Sequence, residues 1–272
     1  MLYPELYDII IVGASQEGIT ICNYLISKKP NLKVALISRN FNNLSNSQKR
    51  EAVTYINEEV IYSSYNHGVI GFTLANNDNI FCRNAILATG SKPKQLMLKN
   101  SNIYYNLNNI SAYSKSEAAV VYGNDNSAAT YAIKLAKKFK YVYICSDTLE
   151  LKCTPALLKK LNETSNIVHL PNCHITSCKN DSNGKLQEIT LDTYDTIRCS
   201  MLVVAIGRTP EIPGFNKRMI KLDDKGCATI NADGATAVIP TLYAVGACAA
   251  KNSKQQLTRT AKAILTKNNW SK

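Results

Sequence analysis

The fold is decided by residues Tyr7–Ser38, which read YDIIIVGASQEGITICNYLISKKPNLKVALIS. The near-continuous apolar run Tyr7–Val12 predicts a buried strand, and after a glycine turn the residues GITICNYLISK have helical spacing. Beyond Pro30, the run Lys33–Ser38 predicts a second strand. A strand, a helix and a strand within about thirty residues form one βαβ unit of a doubly wound parallel sheet.

A second copy of this pattern follows later in the chain. Ala118–Tyr122 predicts a strand, Asn126–Lys138 a helix and Tyr141–Cys145 another strand. Two such units, each with a glycine turn and about 110 residues apart, predict two nucleotide-type domains. The expected fold is therefore α/β, with two Rossmann-like three-layer domains, the second inserted into the first.

The stretches between the two units predict simpler elements. Residues Glu59–Asn79 alternate apolar and polar side chains, which is typical of a hairpin, and Asn76–Asp78 supplies a turn. Ala228–Val245 predicts two short strands, and Gln255–Lys267 predicts a closing helix.

Composition bounds the class of protein. The 272 residues are 45% apolar and 19% charged, which suits two modest globular domains. The net charge of +12 would attract anionic partners such as acidic redox proteins, but the lysines are scattered, which disfavours nucleic-acid binding. The apolar runs are too short to span a bilayer, and the start MLYPELYD lacks the basic run of a signal peptide. A cytoplasmic protein without membrane contact is expected.

The cysteines predict neither a redox pair nor a metal site. There are nine, an odd number, and no two have C-x-x-C spacing. The closest pair is Cys173 and Cys178, with only His174 beside it, which is too few ligands for zinc. Most of the thiols are therefore expected to be small buried side chains. No catalytic constellation emerges elsewhere, so no catalytic or metal-binding residue is predicted.

Five motifs, in order, carry a specific resemblance. IIIVGASQEG (Ile9–Gly18) resembles the FAD fingerprint, and AILATGSKP (Ala85–Pro93) the ATG motif at which the chain crosses between domains. AVVYGNDNSAATYAIKLAK (Ala119–Lys137) resembles the pyridine-nucleotide fingerprint, and VVAIGRTP (Val203–Pro210) the second hinge. IPTLYAVGACA (Ile239–Ala249) resembles the C-terminal flavin motif. Together they resemble the low-molecular-weight thioredoxin-reductase family of two-domain flavoproteins.

This resemblance implies a domain plan, partners and a set of binding residues. Residues 1–112 and 210–272 would form the FAD-type domain and residues 113–209 the inserted NAD(P)-type domain. The family also implies a homodimer and a redox-protein partner of ferredoxin or thioredoxin type. The implied cofactor-binding positions are Gly13, Ser15, Gly18, Ser38, Arg39, Thr89, Gly90, Gly123, Ser127, Gly207, Gly246 and Ala247.

The FAD motifs depart from the family pattern. Ser15 replaces the middle glycine of the fingerprint, and Ala247 replaces an Asp that, in the family, accepts a bond from the ribityl chain of the flavin. Ser38 and Arg39 stand where an acid would hold the adenosine ribose; they fit either a phosphorylated ribose or a solvated loop. Only about fifty residues separate Ser38 from the ATG motif, too few for the flavin-covering loop. The resemblance thus implies FAD binding that is weakened or lost.

The second fingerprint departs further. Asn124 and Asp125 replace two glycines, and a carboxylate at that position opposes a pyrophosphate. Ser146 and Asp147 stand where the family has the arginines that hold the 2′-phosphate. NADPH is disfavoured, and NAD(H) stays open. Asn102–Tyr113, the region of the family's cysteine pair, has none, which excludes conventional thioredoxin reduction.

Two functional hypotheses remain, and they leave open whether the chain is an enzyme. One is a residual FAD-dependent oxidoreductase that takes electrons from NADH or a protein donor such as ferredoxin. The family's ferredoxin–NADP reductases also lack the cysteine pair, and Ile103–Ile110 resembles their equivalent stretch. The other is a non-catalytic pseudoenzyme that has lost both cofactors and acts as a binding or regulatory protein. Trp270 is read either as an aromatic lid over a flavin or as a stray terminal residue.

Overall fold

The computed structural model describes residues 5–41, 44, 49–98, 103–107, 118–216, 218–250 and 254–267. The chain divides into two compact units: a first unit, Met1–Lys92 with Thr209–Lys272, and a second unit, Pro93–Arg208. The elements in chain order are β1 (Leu6–Val12), α1 (Gln16–Lys28), β2 (Val34–Ile37), β3 (Val53–Ile56), β4 (Val60–Asn66), β5 (Val69–Leu74), β6 (Asn79–Leu87), β7 (Ser91–Pro93), β8 (Ile103–Tyr104), β9 (Ala118–Tyr122), α2 (Asn126–Ala136), β10 (Tyr141–Cys145), α3 (Pro155–Asn162), β11 (Ile167–Leu170), β12 (Ile175–Asn180), β13 (Leu186–Leu191), β14 (Ile197–Arg198), β15 (Met201–Val204), β16 (Arg208–Pro210), β17 (Leu242–Ala244) and α4 (Lys254–Lys267).

The first unit is built on a seven-stranded mixed sheet. Its order is β3-β2-β1-β6-β5-β4, and β17 also pairs with β6. The strand β1 is parallel to both β2 and β6, with Ile10 opposite Ala35 and Ala85. Alternate residues of β1 face opposite sides: Ile9 packs in the core formed with α1 and α4, whereas Ile10 packs in the core on the other face. Because most of β1 is buried on both faces, its sequence is apolar apart from Asp8 rather than alternating.

The second unit has three layers. Its parallel sheet has the order β11-β10-β9-β15-β8, and a separate antiparallel sheet has the order β12-β13-β14. One face of the parallel sheet packs against α2 and α3, where Val121 meets Ala128 and Leu161. The other face packs against the antiparallel sheet, where Val120 meets Ile189.

The second compact unit begins at Pro93, whereas the resemblance implies an inserted domain that begins at residue 113. The structure assigns Pro93–Arg208 to the second unit. The physical reason is that β8 pairs with β15 of the second sheet, with Ile103 opposite Leu202. The short strands β7 and β16 pair with each other where the chain passes between the units.

Most predicted elements are found, and one prediction is wrong. Both βαβ patterns and the closing helix are present, with small shifts at the helix ends. Ala228–Val245 does not form two strands, since β17 alone is a strand there and the rest makes isolated bridges. The reason is local: Asn231 Oδ1 accepts bonds from the N–H groups of Asp233 and Ala235 and folds the segment into a tight turn. None of the helices in the described ranges is long and apolar enough to cross a membrane.

Candidate functional site

The glycines of the first fingerprint are required by packing inside the first unit. Gly13 has a φ of +107° and donates its N–H to Ile37 O at 2.8 Å. A Cβ on Gly13 would lie 2.3 Å from the carbonyl oxygen of Ala88, and a Cβ on Gly18 would lie 2.3 Å from the carbonyl oxygen of Gly13. Both contacts are impossibly short, so the fold needs these glycines whether or not a nucleotide binds.

The start of α1 keeps an anion-binding character. Ser15 caps the helix, and its Oγ accepts a bond from Gly18 N at 3.2 Å. The first i→i−4 hydrogen bond of the helix runs from Ile19 N to Ser15 O at 2.9 Å. The N–H groups of Gln16 and Glu17 therefore have no acceptor within the helix, and such groups at a helix N-terminus bind phosphates well.

Glu17 is the residue at this site that the sequence reasoning missed. A Cβ built on Gly246 would lie 3.3 Å from Glu17 Cδ and 3.4 Å from its Oε2, so the carboxylate lies directly against Gly246. Glu17 is half-buried, and it makes no hydrogen bond or ion pair with any described residue. Ala247, where the family carries its acid, is exposed. The signal was available, since Glu17 is the only acid within the fingerprint itself.

The ATG motif is tied to the segment after the second hinge. Thr89 Oγ1 donates to Glu211 O, and Glu211 N donates to Gly90 O at 3.1 Å. A Cβ on Gly90 would meet no atom within 4 Å, so the space beside this glycine is open. Thr89 thus has a structural partner, and Gly90 borders free volume.

Ser38 and Arg39 are engaged by the protein itself. The Arg39 guanidinium pairs with the Glu211 carboxylate at 3.1 Å and approaches that of Glu59 at 3.7 Å. Ser38 Oγ donates to Asn40 O at 2.7 Å. Of the two readings left open by the sequence, these contacts favour a structured loop over a site for a phosphorylated ribose.

The first unit fits a dinucleotide such as FAD. It has a tight glycine turn, two helix N–H groups outside the helix ladder and open space beside Gly90. The segment predicted to be too short for a flavin loop lies partly outside the described residues, as do Trp270 and most of Asn102–Tyr113.

The second fingerprint has the same turn but a different helix start. Gly123 donates its N–H to Cys145 O at 2.9 Å, and a Cβ on it would lie 2.2 Å from Ala205 O. Asp125 caps α2, and its Oδ1 accepts bonds from the N–H groups of Ser127 at 2.8 Å and Ala128 at 3.1 Å. A protein carboxylate therefore takes the donors that a pyrophosphate would need. The sequence showed the charge of Asp125 but not this capping role.

Asn124 connects two loops beside the start of α2. Its side-chain Nδ2 donates to Asp147 Oδ1 at 2.9 Å and to Thr148 Oγ1 at 3.3 Å, and its backbone carbonyl oxygen accepts from Lys152 N at 2.6 Å. The loops that follow β9 and β10 are thereby joined, in the crevice where nucleotides bind to doubly wound sheets. The residues of the second unit do not fit a pyridine dinucleotide in this arrangement.

A Ser–His pair in the second unit is structural rather than nucleophilic. The buried Ser146 Oγ lies 2.8 Å from His169 Nε2 and donates to Thr148 O at 2.8 Å. Because the hydroxyl proton is already given to Thr148, the imidazole donates to Ser146 instead of removing that proton. Burial lowers the pKa of His169, which favours its neutral form. His169 also lines a cavity of about 650 Å³ under α3 to which no fingerprint residue contributes.

The cysteines are free thiols, and six of the nine are buried. Burial raises the pKa of Cys22 to about 12, so its thiolate is scarce at neutral pH. No group of three potential metal ligands occurs in the part of the chain that the structure describes. At the second hinge, Gly207 O accepts a bond from Lys94 N at 3.0 Å.

Comparison with known proteins gives consistent matches. The family model described as pyridine nucleotide-disulphide oxidoreductase matches residues 7–265. A thioredoxin reductase of Ureaplasma parvum is 23% identical over 312 residues, covering 98% of this chain and 99% of the relative. A ferredoxin–NADP reductase of Anaplasma phagocytophilum is 26% identical over 202 residues, covering 60% of this chain and 59% of the relative.

A solved structure has the same fold. The thioredoxin reductase of Lactococcus lactis superposes with a TM-score of 0.81 at 16% identity, covering 95% of this chain and 98% of that one. The predicted fold of two Rossmann-like domains is confirmed.

Proposed function

Since the chain belongs to the pyridine nucleotide-disulphide oxidoreductase family, we propose that it binds FAD in its first unit and takes electrons from a protein donor rather than from NADPH. The thioredoxin-reductase-like family predicted from the five motifs is confirmed, and this family binds FAD and NAD(P). The proposal concerns which of the two cofactors this member has kept.

The Asp125 cap is the single observation that carries the proposal. Its carboxylate already accepts from two helix N–H groups, so a pyrophosphate would have to displace it and then lie beside it. Two unit charges about 4 Å apart repel by about 4 kcal/mol at an effective dielectric of about 20. The site of the second unit therefore disfavours NADPH and NADH alike.

The first unit has the groups that the proposed binding of FAD needs. The N–H groups of Gln16 and Glu17 would hold the pyrophosphate at the start of α1, because the Glu17 carboxylate, unlike that of Asp125, accepts from no N–H group of the described residues. The turn at Gly13 brings the chain close to the pyrophosphate. When bound, FAD supplies the one- and two-electron chemistry, which the protein cannot supply itself. With no C-x-x-C in the sequence, no internal dithiol passes those electrons to thioredoxin.

A basic surface suits an acidic protein donor. The net charge of +12 accelerates association with an acidic partner, and a ferredoxin-type protein has that chemistry. The predicted homodimer, the cytoplasmic location and, of the predicted cofactor-binding residues, Gly13, Ser15, Gly18, Gly90 and Gly246 of the first unit belong to the same proposal.

A ligand titration of the purified chain tests it. FAD is expected to raise the melting temperature and give a flavin absorbance, whereas NADPH and NADH leave the melting temperature unchanged, because a ligand stabilises only the fold it binds. Reduced ferredoxin should bleach the flavin and NADPH should not. Bleaching by NADPH at a rate clearly above that of free flavin would overturn the proposal.

A non-catalytic binding protein is the second candidate. The exposed Ala247, which leaves the C-terminal flavin motif without its acid, favours this reading. A protein that stays colourless, with an unchanged melting temperature in excess FAD, would establish it and exclude the first candidate.

A further inference from the structure

We propose that Glu17 supplies the carboxylate that Ala247 lacks, by accepting a hydrogen bond from a hydroxyl of the flavin's ribityl chain. This inference rests on the proposed binding of FAD by the first unit. It assigns a ligand contact to a residue outside the fingerprint's glycine pattern.

The Glu17 side chain lies at the carboxyl ends of β1 and β17. Glu17 lies in the first turn of α1, and Gly246 follows directly after β17. Their contact joins the two flavin motifs, since a Cβ on Gly246 would lie 3.3 Å from both Cγ and Cδ of Glu17. The carboxylate thus stands beside the residue that precedes Ala247.

The state of this carboxylate points to a ligand donor. Glu17 is half-buried and without a partner among the described residues, whereas other carboxylates of the first unit, such as Glu5 and Glu211, have partners. An ionised carboxylate only accepts hydrogen bonds, so it needs a donor. The phosphates of FAD offer acceptors alone, but the ribityl chain offers hydroxyl donors. The helix start also stabilises the negative charge of Glu17.

Paired ligands separate this role from simple repulsion of phosphate. Dissociation constants for FAD and for ADP are measured by calorimetry with the wild type, Glu17→Ala and the matched control Glu51→Ala. Glu51 is an exposed acid of the same unit and lies outside the fingerprint sequence. Loss of a charge-assisted hydrogen bond should weaken FAD binding about tenfold or more. ADP, which has no ribityl chain, should bind Glu17→Ala at least as tightly as it binds the wild type.

A rescue variant makes the assignment specific. Adding Ala247→Asp to Glu17→Ala restores a carboxylate at the family position and should recover most of the FAD affinity without changing the affinity for ADP. Circular dichroism checks that each variant is folded.

The outcomes distinguish the two proposals. If the wild type binds FAD and Glu17→Ala binds it equally or more tightly, the role of Glu17 is wrong while the proposed function stands. If the wild type does not bind FAD, the proposed function fails, and the role of Glu17 fails with it.

Discussion

The two fingerprint turns are alike where they pack and different where a ligand would lie. Gly13 lies under the carbonyl of Ala88, and Gly123 lies in the same way under that of Ala205. The helix starts differ, because neutral Ser15 takes one N–H group whereas charged Asp125 takes two. Retained glycines thus report the fold, and the residues between them report the ligand.

The side chains beside the turns differ in the same direction. Glu17 has no partner among the residues that the structure describes, whereas Asn124 is bonded to Asp147 and Thr148. A site whose polar groups satisfy one another has little to gain from a ligand, because binding must first break those bonds. The comparison indicates that the polar groups at the second fingerprint bond to one another, whereas Glu17 at the first fingerprint is left for a ligand.

The largest expected effect tests the shared packing. Gly13→Ala and Gly123→Ala should each lower the free energy of unfolding of their unit by more than about 3 kcal/mol, because the new Cβ meets backbone. Gly90→Ala is the control: its φ is also positive, at +71°, but a Cβ there meets open space, so the substitution should cost about 1 kcal/mol. Urea denaturation followed by circular dichroism measures all three, and equal losses would refute the packing argument.

A smaller effect tests the two helix caps. Asp125→Ala should destabilise α2 by about 1 to 2 kcal/mol, and Ser15→Ala should destabilise α1 by about half as much, since Ser15 accepts one bond rather than two. Hydrogen exchange of the helix amides reports each loss separately. Ser127→Ala, in the same turn of α2, is the control. A larger loss for Ser15→Ala than for Asp125→Ala would reverse the comparison.

The smallest effect is a pH dependence confined to the second unit. The N–H and ring of His174 hold the pKa of Asp192 at about 2, below its ordinary 3.8. A lowered folded pKa stabilises the fold above about pH 4, and this stabilisation is lost as the pH falls toward 2. Asp192→Asn should therefore flatten the fall of the melting temperature of the second unit between pH 5 and 2.5.

The neighbouring acid Asp195 provides the control for that experiment. It is exposed like Asp192 but has no such partner among the described residues, so Asp195→Asn should keep the slope of the wild type. A slope unchanged in Asp192→Asn would show that the contact with His174 contributes nothing.

The sequence by itself determined the architecture, because buried parallel strands demand continuous apolar runs and tight turns demand glycine. The strands Ala118–Tyr122 and Tyr141–Cys145 were predicted with the bounds that the structure gives them. Local turn chemistry overrode the pattern once, at Asn231.

Only the tertiary structure decided which polar groups are satisfied. Glu17 meets Gly246, and Arg39 meets Glu211, 172 positions further along the chain. Such contacts depend on where strand ends converge after folding, and no local spacing encodes them. The charge of Asp125 was readable from the sequence, but whether its carboxylate would repel a ligand or cap a helix depended on the geometry of the folded turn.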